Sequence, residues 1–382
     1  MWLIEPRDGL AFRDGRPNDG RSQSRCLPFP MPQTVAGAVR TRIGLRADGS
    51  FGLTTDEAKS IALEGPLLAR VGSGAPELLF PAPGDALWFE DPVNKAKEIL
   101  RLVPLENEKE SVFRGGHVPR EDWNHLLAVG LPESRDGKPP KGTPAFWQWS
   151  HMGTWLMGKI PNPGDVLRGE KPLEQDRRMH VAIDPATGTY VEGALFGVSS
   201  LVFRSRAEGE GLGKVQELAL AFRCQHPSLK EGLGFLGGKN QLANYRKTDG
   251  TTWPSCPEPL VKKVREGKDP ARIRLMLATP GIFRAGWRPT RLLESGGPLG
   301  IRIKLKAAKV DRPLTLSGWD YVQRQTKRTR RAVTAGAVYW LEIDGEGDAR
   351  AQWIRDHWMK PVSDEEQDCR DGFGLALMGV WA

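Results

Sequence analysis

The glycine-rich stretch GLGFLGGKNQ, residues 232–241, has the residue types of a ligand-binding loop. Its glycines fit the G-x-G-x-x-G spacing of dinucleotide-binding turns, and a Gly-Lys pair follows at once. A P-loop, however, needs glycine where Leu233 stands and a hydroxyl residue where Asn240 stands, so a magnesium ligand is missing. A dinucleotide site needs a strand immediately before the glycines, and Pro227 interrupts that approach. A nucleotide-binding enzyme therefore stays one hypothesis, and a plain surface turn is a second.

A nucleic-acid backbone is a third possible ligand of this loop. Gly237 and Gly238 lack a Cβ atom, so a ribose-phosphate strand can approach their backbone amides directly. Lys239 adds a positive charge, and Asn240 completes the candidate set. This interpretation predicts a loop that holds RNA by its shape and carries out no chemistry on it.

Positive charge is concentrated in one segment of the chain. The net charge is +8, and residues 301–331 hold ten Lys/Arg against two Asp, so this segment alone accounts for the excess. A localised basic stripe is typical of a protein that binds a polyanion, although a solvated basic face is the alternative. Within this stripe, QRQTKRTRR supplies five candidate phosphate contacts: Arg324, Lys327, Arg328, Arg330 and Arg331.

The N-terminal region offers a second group of cations ahead of a predicted helix. Val35, Val39 and Ile43 recur every four residues, which predicts a helix over residues 34–45. Because a helix N-terminus has free N–H groups, it can receive an anion from the polar loop before it. A floppy polar loop is the alternative. The candidate RNA contacts here are Arg13, Arg16, Arg21, Ser22, Thr34 and Arg40.

The segment DRRMHVAID, residues 176–184, places Arg177, Arg178 and His180 just before a predicted hairpin. A histidine or arginine in this position can stack on a splayed base or donate to a phosphate. A histidine of the core or of a strand edge is the alternative for His180.

Composition bounds the class of protein. A 39% hydrophobic and 27% charged composition over 382 residues is typical of a globular protein with one large domain or two ordinary ones. No apolar run approaches the ~20 residues of a membrane span, and the start does not read as a signal peptide. The four cysteines are scattered without a C-x-x-C pair, so we expect no disulfide framework, no metal site and a reducing cytoplasm. Scattered strand patterns with few helices predict an α+β fold with antiparallel sheets.

Several motifs, in order along the chain, resemble one family of RAMP proteins, the RNA-binding subunits of CRISPR effector complexes. The family is the third RAMP subunit of the Cmr-type, or type III-B, complex. The motifs are IEPRDGLAFRDGRP, PFPMPQTVAGAVRTRIG, DRRMHVAIDPATGTYVEGALF, FLGGKNQLANYR, LATPGIF, SGWD, AVTAGAVYWLE and GFGLALMGVW. At Lys239 and Asn240 this chain departs from the family, because relatives commonly carry an acidic-then-basic pair where it has GGKNQ.

The resemblance implies a fold of two ferredoxin-like (RRM-like) modules of the RAMP type. The N-terminal module would cover residues 1–252, with a large irregular insertion at 53–175, a thumb-like segment at 176–205 and the glycine-rich loop. The C-terminal module would cover residues 253–382.

The resemblance also implies a function. By this resemblance, the chain would be a non-catalytic subunit that binds the 5′ repeat-derived tag of the guide RNA (crRNA) without a cofactor. Its partners would be the large polymerase-like subunit and the backbone RAMP subunit, with target RNA contacted indirectly and no membrane involved. The alternative is a metal-independent endoribonuclease that processes precursor crRNA, with His180 as general base beside Arg177 and Arg178.

Overall fold

The computed structural model describes residues 1–13, 26–105, 126–133, 137–206, 215–238, 241–249, 253–320 and 325–381. Six of the candidate residues lie outside the described residues: Arg16, Arg21, Ser22, Lys239, Asn240 and Arg324. None of the helices in the described ranges is long and apolar enough to cross a membrane.

Strands dominate the first part of the chain. Its described elements, in order, are β1 (Trp2–Pro6), α1 (Pro32–Gly44), α2 (Thr55–Ser60), β2 (Glu64–Val71), β3 (Glu77–Pro81), β4 (Ala86–Glu90), β5 (Lys97–Arg101), β6 (Val103–Pro104), β7 (Val129–Gly130), β8 (Phe146–Gln148), α3 (Trp149–Leu156), α4 (Pro163–Val166), β9 (Glu174–Ile183), β10 (Tyr190–Val202), β11 (Arg204–Arg206), β12 (Val215–Arg223), β13 (Gly232–Phe235) and β14 (Leu242–Lys247).

Helices and strands alternate in the second part. Its described elements are α5 (Glu258–Glu266), β15 (Ala271–Leu277), α6 (Thr290–Glu294), a 3₁₀ turn (Gly297–Leu299), β16 (Arg302–Lys309), β17 (Leu314–Leu316), β18 (Trp319–Asp320), β19 (Gln325–Thr326), β20 (Arg330–Ala332), β21 (Val338–Asp344), α7 (Gly347–His357), α8 (Glu366–Asp371) and β22 (Ala376–Val380).

The larger sheet is antiparallel and has the strand order β13-β14-β1-β12-β2-β3-β8, with β11 also paired to β12. Its central four strands, numbered β1, β2, β12 and β14 along the chain, therefore lie in the order 4-1-3-2. The apolar stripe of α1, at Val35, Ala36 and Val39, packs on one face of this sheet against Ile4 and Leu220. The prediction of a helix from the four-residue spacing is confirmed, and proline at the first helical position fits its start at Pro32.

The smaller sheet is also antiparallel, with the order β16-β21-β15-β22. Numbered along the chain as β15, β16, β21 and β22, its strands again lie in the order 4-1-3-2. Helix α6 lies between its first and second strands in the chain, and α7 lies between its third and fourth. The mixed α/β character with antiparallel sheets, expected from the sequence, is therefore confirmed.

The segment at 53–175, expected to be an irregular insertion, instead supplies regular structure. Strand β2 is one of the four central strands of the larger sheet, and β3 and β8 extend that sheet beyond it. Helix α3 packs against β22, where Gly379 lies close to the backbone of Leu156. The physical reason is burial on both faces of the sheet. Leu67, Leu68 and Leu79 are all buried, so the strand sequences show continuous apolar runs rather than the alternation that marks a half-exposed strand.

A buried ion pair connects this segment to the smaller sheet. Arg274 on β15 and Asp85, just before β4, are 3% and 1% exposed, and the Arg274 guanidinium donates to the Asp85 carboxylate. Arg274 also donates to the carbonyl oxygens of Val380 at 2.8 Å and Trp155 at 2.7 Å. The indole N–H of Trp155 donates to the other Asp85 oxygen at 2.9 Å. Both charges are thus paired and hydrogen-bonded, as buried charges must be.

A second arginine completes this cluster. The Arg101 guanidinium lies 4.0 Å from the centre of the Trp155 ring and donates to the carbonyl oxygens of Gly158 and Lys159. Burial lowers the pKa of Arg101 to about 10, so it remains charged at neutral pH.

Asp85→Ala removes one member of the buried pair and leaves the Arg274 charge unpaired in the core. We expect the free energy of unfolding to fall by about 3–5 kcal/mol. Urea denaturation of the full chain measures it. Asp311→Ala is the control, because Asp311 pairs with Lys309 at a site where it is 65% exposed, and there the loss is about 0–1 kcal/mol. Equal losses from the two variants would contradict this role.

Candidate nucleic-acid interface

A short backbone strip, residues 10–12, connects the thumb-like hairpin to the glycine-rich loop. Leu10 exchanges two backbone hydrogen bonds with Leu201, at 3.0 and 2.8 Å, near the end of β10. The Ala11 amide donates to the side-chain oxygen of Gln241 at 2.7 Å, and the Gly238 amide donates to the Ala11 carbonyl at 3.0 Å. Two regions that are far apart in the sequence therefore meet on the same strip, immediately before the exposed side chain of Arg13.

Glycine is required at the first position of the Gly237–Gly238 pair. Gly237 has a φ of +81°, and a Cβ atom there would lie 3.0 Å from the Ala11 carbonyl oxygen. At Gly238 the nearest atom to an added Cβ, the same carbonyl oxygen, would be 3.6 Å away, an ordinary contact. The first glycine thus shapes the loop, and the second leaves its backbone approachable.

The hairpin of β9 and β10 carries Arg177, Arg178 and His180, all of them exposed. His180 lies opposite Phe196 in the register, and the two rings stack with centroids 5.6 Å apart and an interplanar angle of 17°. Arg178 lies on the same face and forms an exposed ion pair with Asp176 at 2.7 Å. His180 is therefore not a core histidine, and this face presents a flat aromatic and cationic surface.

The opposite face of the hairpin carries Arg177 and a group of apolar side chains. The strand register places its large hydrophobic side chains together, all of them more than a third exposed: Met179, Val181, Ile183, Tyr190 and Leu195. Tyr190 is the only tyrosine of the two strands, and it lies across from Ile183 rather than beside His180. The hairpin therefore offers His180 no tyrosine or lysine partner on its own face.

The C-terminal part of the basic stripe, residues 325–331 (the basic segment), is connected to the start of α1. The Gln33 side-chain amide donates to the Ser317 carbonyl at 3.2 Å, and the Ser317 hydroxyl donates to the Lys327 carbonyl at 3.1 Å. Underneath, Met31 packs with Leu316 in an apolar cluster that also contains Ala332 and Leu27. These contacts connect the backbone at Lys327 to the first turn of α1, in which Thr34 is half-buried, and the side chains of Lys327, Arg328 and Arg331 are exposed.

Two of the sequence-predicted contacts are engaged inside the protein. Arg40 donates to Asp371 at 2.6 Å and twice to the Ile61 carbonyl, at 2.8 and 3.1 Å. Arg330 donates to both oxygens of Asp368, at 2.7 and 2.9 Å, and that carboxylate is 2% exposed. These arginines tie α1 and β20 to α8, so the structure gives them a cross-linking role rather than a place on the open surface.

Gln241 is a residue that sequence reasoning missed. Its side-chain oxygen accepts from Ala11, and its backbone carbonyl accepts from Leu236 at 3.0 Å, so it closes the base of the glycine-rich loop. The signal available in the sequence was its position directly after GGKN. Within the described ranges, no group of three or more His, Cys, Asp or Glu side chains is arranged to hold a metal ion.

Comparison with known proteins agrees with the sequence motifs. The family model of CRISPR-associated protein Cas_Cmr3 matches residues 2–381, nearly the whole chain. The chain belongs to the Cas_Cmr3 family. The resemblance to a Cmr-type subunit, drawn from the ordered motifs, is thereby confirmed, and the Cas_Cmr3 match includes the 53–175 segment in which no motif was recognised.

Two solved structures are similar to this Cas_Cmr3 chain. One is a chain in the cryo-EM structure of the type III-B Cmr-beta bound to cognate target RNA and AMPPnP, state 1, with 14% identity and a TM-score of 0.46 over 89% of this chain and 85% of that chain. The other is in the type III-B Cmr-beta bound to cognate target RNA, with 13% identity and a TM-score of 0.43 over 89% and 86%. No curated protein matched in sequence.

Gly237→Ala and Gly238→Ala form a matched pair that tests the shape of the loop. An alanine at a positive φ costs roughly 1–2 kcal/mol, and at position 237 it also presses on the Ala11 carbonyl. We therefore expect Gly237→Ala to lower the free energy of unfolding by about that amount and to speed hydrogen exchange at the Ala11 and Gly238 amides. Gly238→Ala should leave both unchanged. Identical exchange in the two variants would rule out the contact with Ala11 as the constraint.

Proposed function

We propose that this chain is a non-catalytic crRNA-binding subunit of a type III-B CRISPR antiviral effector complex in the cytoplasm. It recognises the 5′ repeat-derived tag, docks on the large polymerase-like subunit and the backbone RAMP subunit, and meets target RNA only through the guide. The observation that supports this most is the continuity of the surface: the strip at residues 10–12 touches the thumb on one side and the glycine-rich loop on the other.

The strand order supports the architecture on which this function rests. Each sheet contains four antiparallel strands in the order 4-1-3-2, which is the arrangement of a βαββαβ, ferredoxin-like (RRM-like) module. The larger sheet takes its strands from residues before 248 and the smaller sheet from residues after 270. We therefore assign an N-terminal module to residues 1–252, with the thumb at 176–205, and a C-terminal module to residues 253–382.

The charges on this surface suit a phosphate backbone. Lys327, Arg328 and Arg331 are exposed on the segment that contacts the start of α1, where the helix dipole adds partial positive charge. Arg13 directly follows Phe12, whose carbonyl accepts a hydrogen bond at 2.7 Å from the amide of Leu27, in the segment that leads into α1. Exposed cations thus lie near both ends of the segment that leads into α1, and they require no metal or cofactor to hold RNA.

A binding role without catalysis fits the surroundings of His180. A general base needs a partner that orients the ring and a second group that stabilises the leaving oxygen. His180 instead stacks on Phe196 with Arg178 beside it. This arrangement is suited to an RNA base or phosphate, and we assign no catalytic residue.

Neutralising the basic segment tests RNA binding. In the triple variant Lys327→Ala, Arg328→Ala and Arg331→Ala, we expect weaker binding to single-stranded repeat-tag RNA. The slope of log affinity against log salt should also become shallower by about 0.7 for each phosphate that the variant no longer neutralises. The control removes three exposed lysines on or just after α5, Lys262, Lys263 and Lys268, and should leave the slope unchanged. Equal slopes for both triple variants would remove the basic segment from the interface.

Cleavage separates the binding protein from the endoribonuclease. We expect the purified full chain to bind repeat RNA and leave it intact over hours, with a chelator present or absent. His180→Ala should weaken binding modestly and change no product. Specific cleavage of the repeat that disappears in His180→Ala would establish the nuclease instead.

A further inference from the structure

An apolar patch is exposed at one corner of the larger sheet, where the glycine-rich loop begins. Its three members lie on the edge strand β13 and its neighbour β14: Leu233 is 59% exposed, Phe235 57% and Leu242 39%. Across the rest of this sheet the same face is buried, because Leu3, Leu67 and Ala219 belong to the core shared with the second part of the chain. The patch is therefore the part of this sheet face that the second part of the chain does not cover.

The register places a cation beside this patch. Phe235 lies opposite Leu242, and Ala243 lies opposite Pro6. Arg7, the first residue after β1, donates its amide to the Leu242 carbonyl at 3.0 Å. Directly opposed residues share a face, so Phe235 and Leu242 lie side by side, and the exposed Arg7 is bonded through its backbone amide next to them. The neighbouring acid on that face, Glu5, is held by Arg246 at 2.7 Å and Asn244 at 3.1 Å.

We propose that Phe235 stacks on an unpaired nucleobase of the bound RNA, with Leu233 and Leu242 flanking the base and Arg7 meeting an adjacent phosphate. This inference rests on the proposed RNA-binding function and adds a site to it. An aromatic ring on an open sheet face, next to a cation, is the arrangement with which proteins bind single-stranded RNA, and stacking tolerates any base. The ligand class is therefore a single-stranded nucleotide with no fixed sequence.

Three observations favour RNA over a protein partner at this patch. Phe235 precedes Gly237 by only two residues, so an RNA strand bound at the glycine-rich loop would also pass next to the Phe235 ring. Arg7 is exposed next to Leu242, and its positive charge complements a phosphate. The three side chains offer roughly 300 Å² of apolar surface at most, well below the ~800 Å² per partner of a standard protein interface.

The test uses the full chain and single-stranded repeat-tag RNA in which each base in turn is replaced by 2-aminopurine or by an abasic site. Phe235→Ala should weaken binding about 5- to 100-fold, the range expected for loss of one stacked base. Phe235→Leu keeps the apolar character but loses the flat ring, so it should weaken binding as well. Phe235→Trp keeps a flat ring, so it should bind the RNA as the unaltered chain does. It should also quench the fluorescence of 2-aminopurine at one position more strongly than the unaltered chain. Ile160→Ala, at an apolar side chain that is 53% exposed elsewhere, should have no effect.

An abasic substitution at the quenched position should weaken RNA binding by the unaltered protein. With that abasic RNA, Phe235→Ala should cause no additional loss of binding. The inference is overturned if Phe235→Ala binds as well as the unaltered chain, while the proposed function then stands. It is also overturned if Phe235→Leu binds RNA normally and Phe235→Ala instead loses a co-purifying protein subunit. If the unaltered chain does not bind the RNA at all, the proposed function fails first and this site with it. Melting temperatures equal to that of the unaltered chain establish that each variant is folded.

Discussion

The buried contact between Arg274 and Asp85 is the interaction on which the rest of the structure depends. It places a full charge pair in the core, and each charge has further hydrogen bonds, to Val380 and to Trp155. Because unpaired charge is so unfavourable there, the segment around Asp85 and Trp155 has little freedom to move relative to the smaller sheet. The smaller sheet in turn carries the basic segment on the connection between β16 and β21. The contact between Arg274 and Asp85 therefore fixes part of the first half of the chain against the sheet whose β16–β21 connection carries the exposed cations.

The surface that we assign to RNA is assembled by backbone contacts rather than by charge. Leu10 binds Leu201, Ala11 binds Gly238, and Phe12 binds Leu27 through main-chain hydrogen bonds. A few consecutive residues thus fix the thumb, the glycine-rich loop and the approach to α1 relative to one another. Such bonds leave side chains such as Arg13 available for a ligand. The arginines that do cross-link the fold, Arg40 and Arg330, pair instead with two carboxylates of α8, the half-buried Asp371 and the buried Asp368.

Features that depend on neighbouring residues could be predicted from the sequence, whereas features that depend on contacts between distant residues could not. Helix α1 was predictable because proline, helix start and apolar stripe lie within a dozen residues or so of one another. The role of Arg40 was not, because its partner Asp371 is 331 residues away. Strands β2 and β3 were missed because residues buried on both faces lose the alternation that identifies a strand. Phe235 was missed for a related reason: GLGF does not indicate which face of a sheet is left uncovered.

The most direct test of the continuous surface is photo-crosslinking of the full chain to repeat-tag RNA that contains 4-thiouridine, with the linked peptides identified by mass spectrometry. The account predicts crosslinks in peptides that contain residues 10–13, 233–238 and 325–331, all competed away by unlabelled RNA. Crosslinks confined to α5 and α7, with none in those three regions, would contradict it.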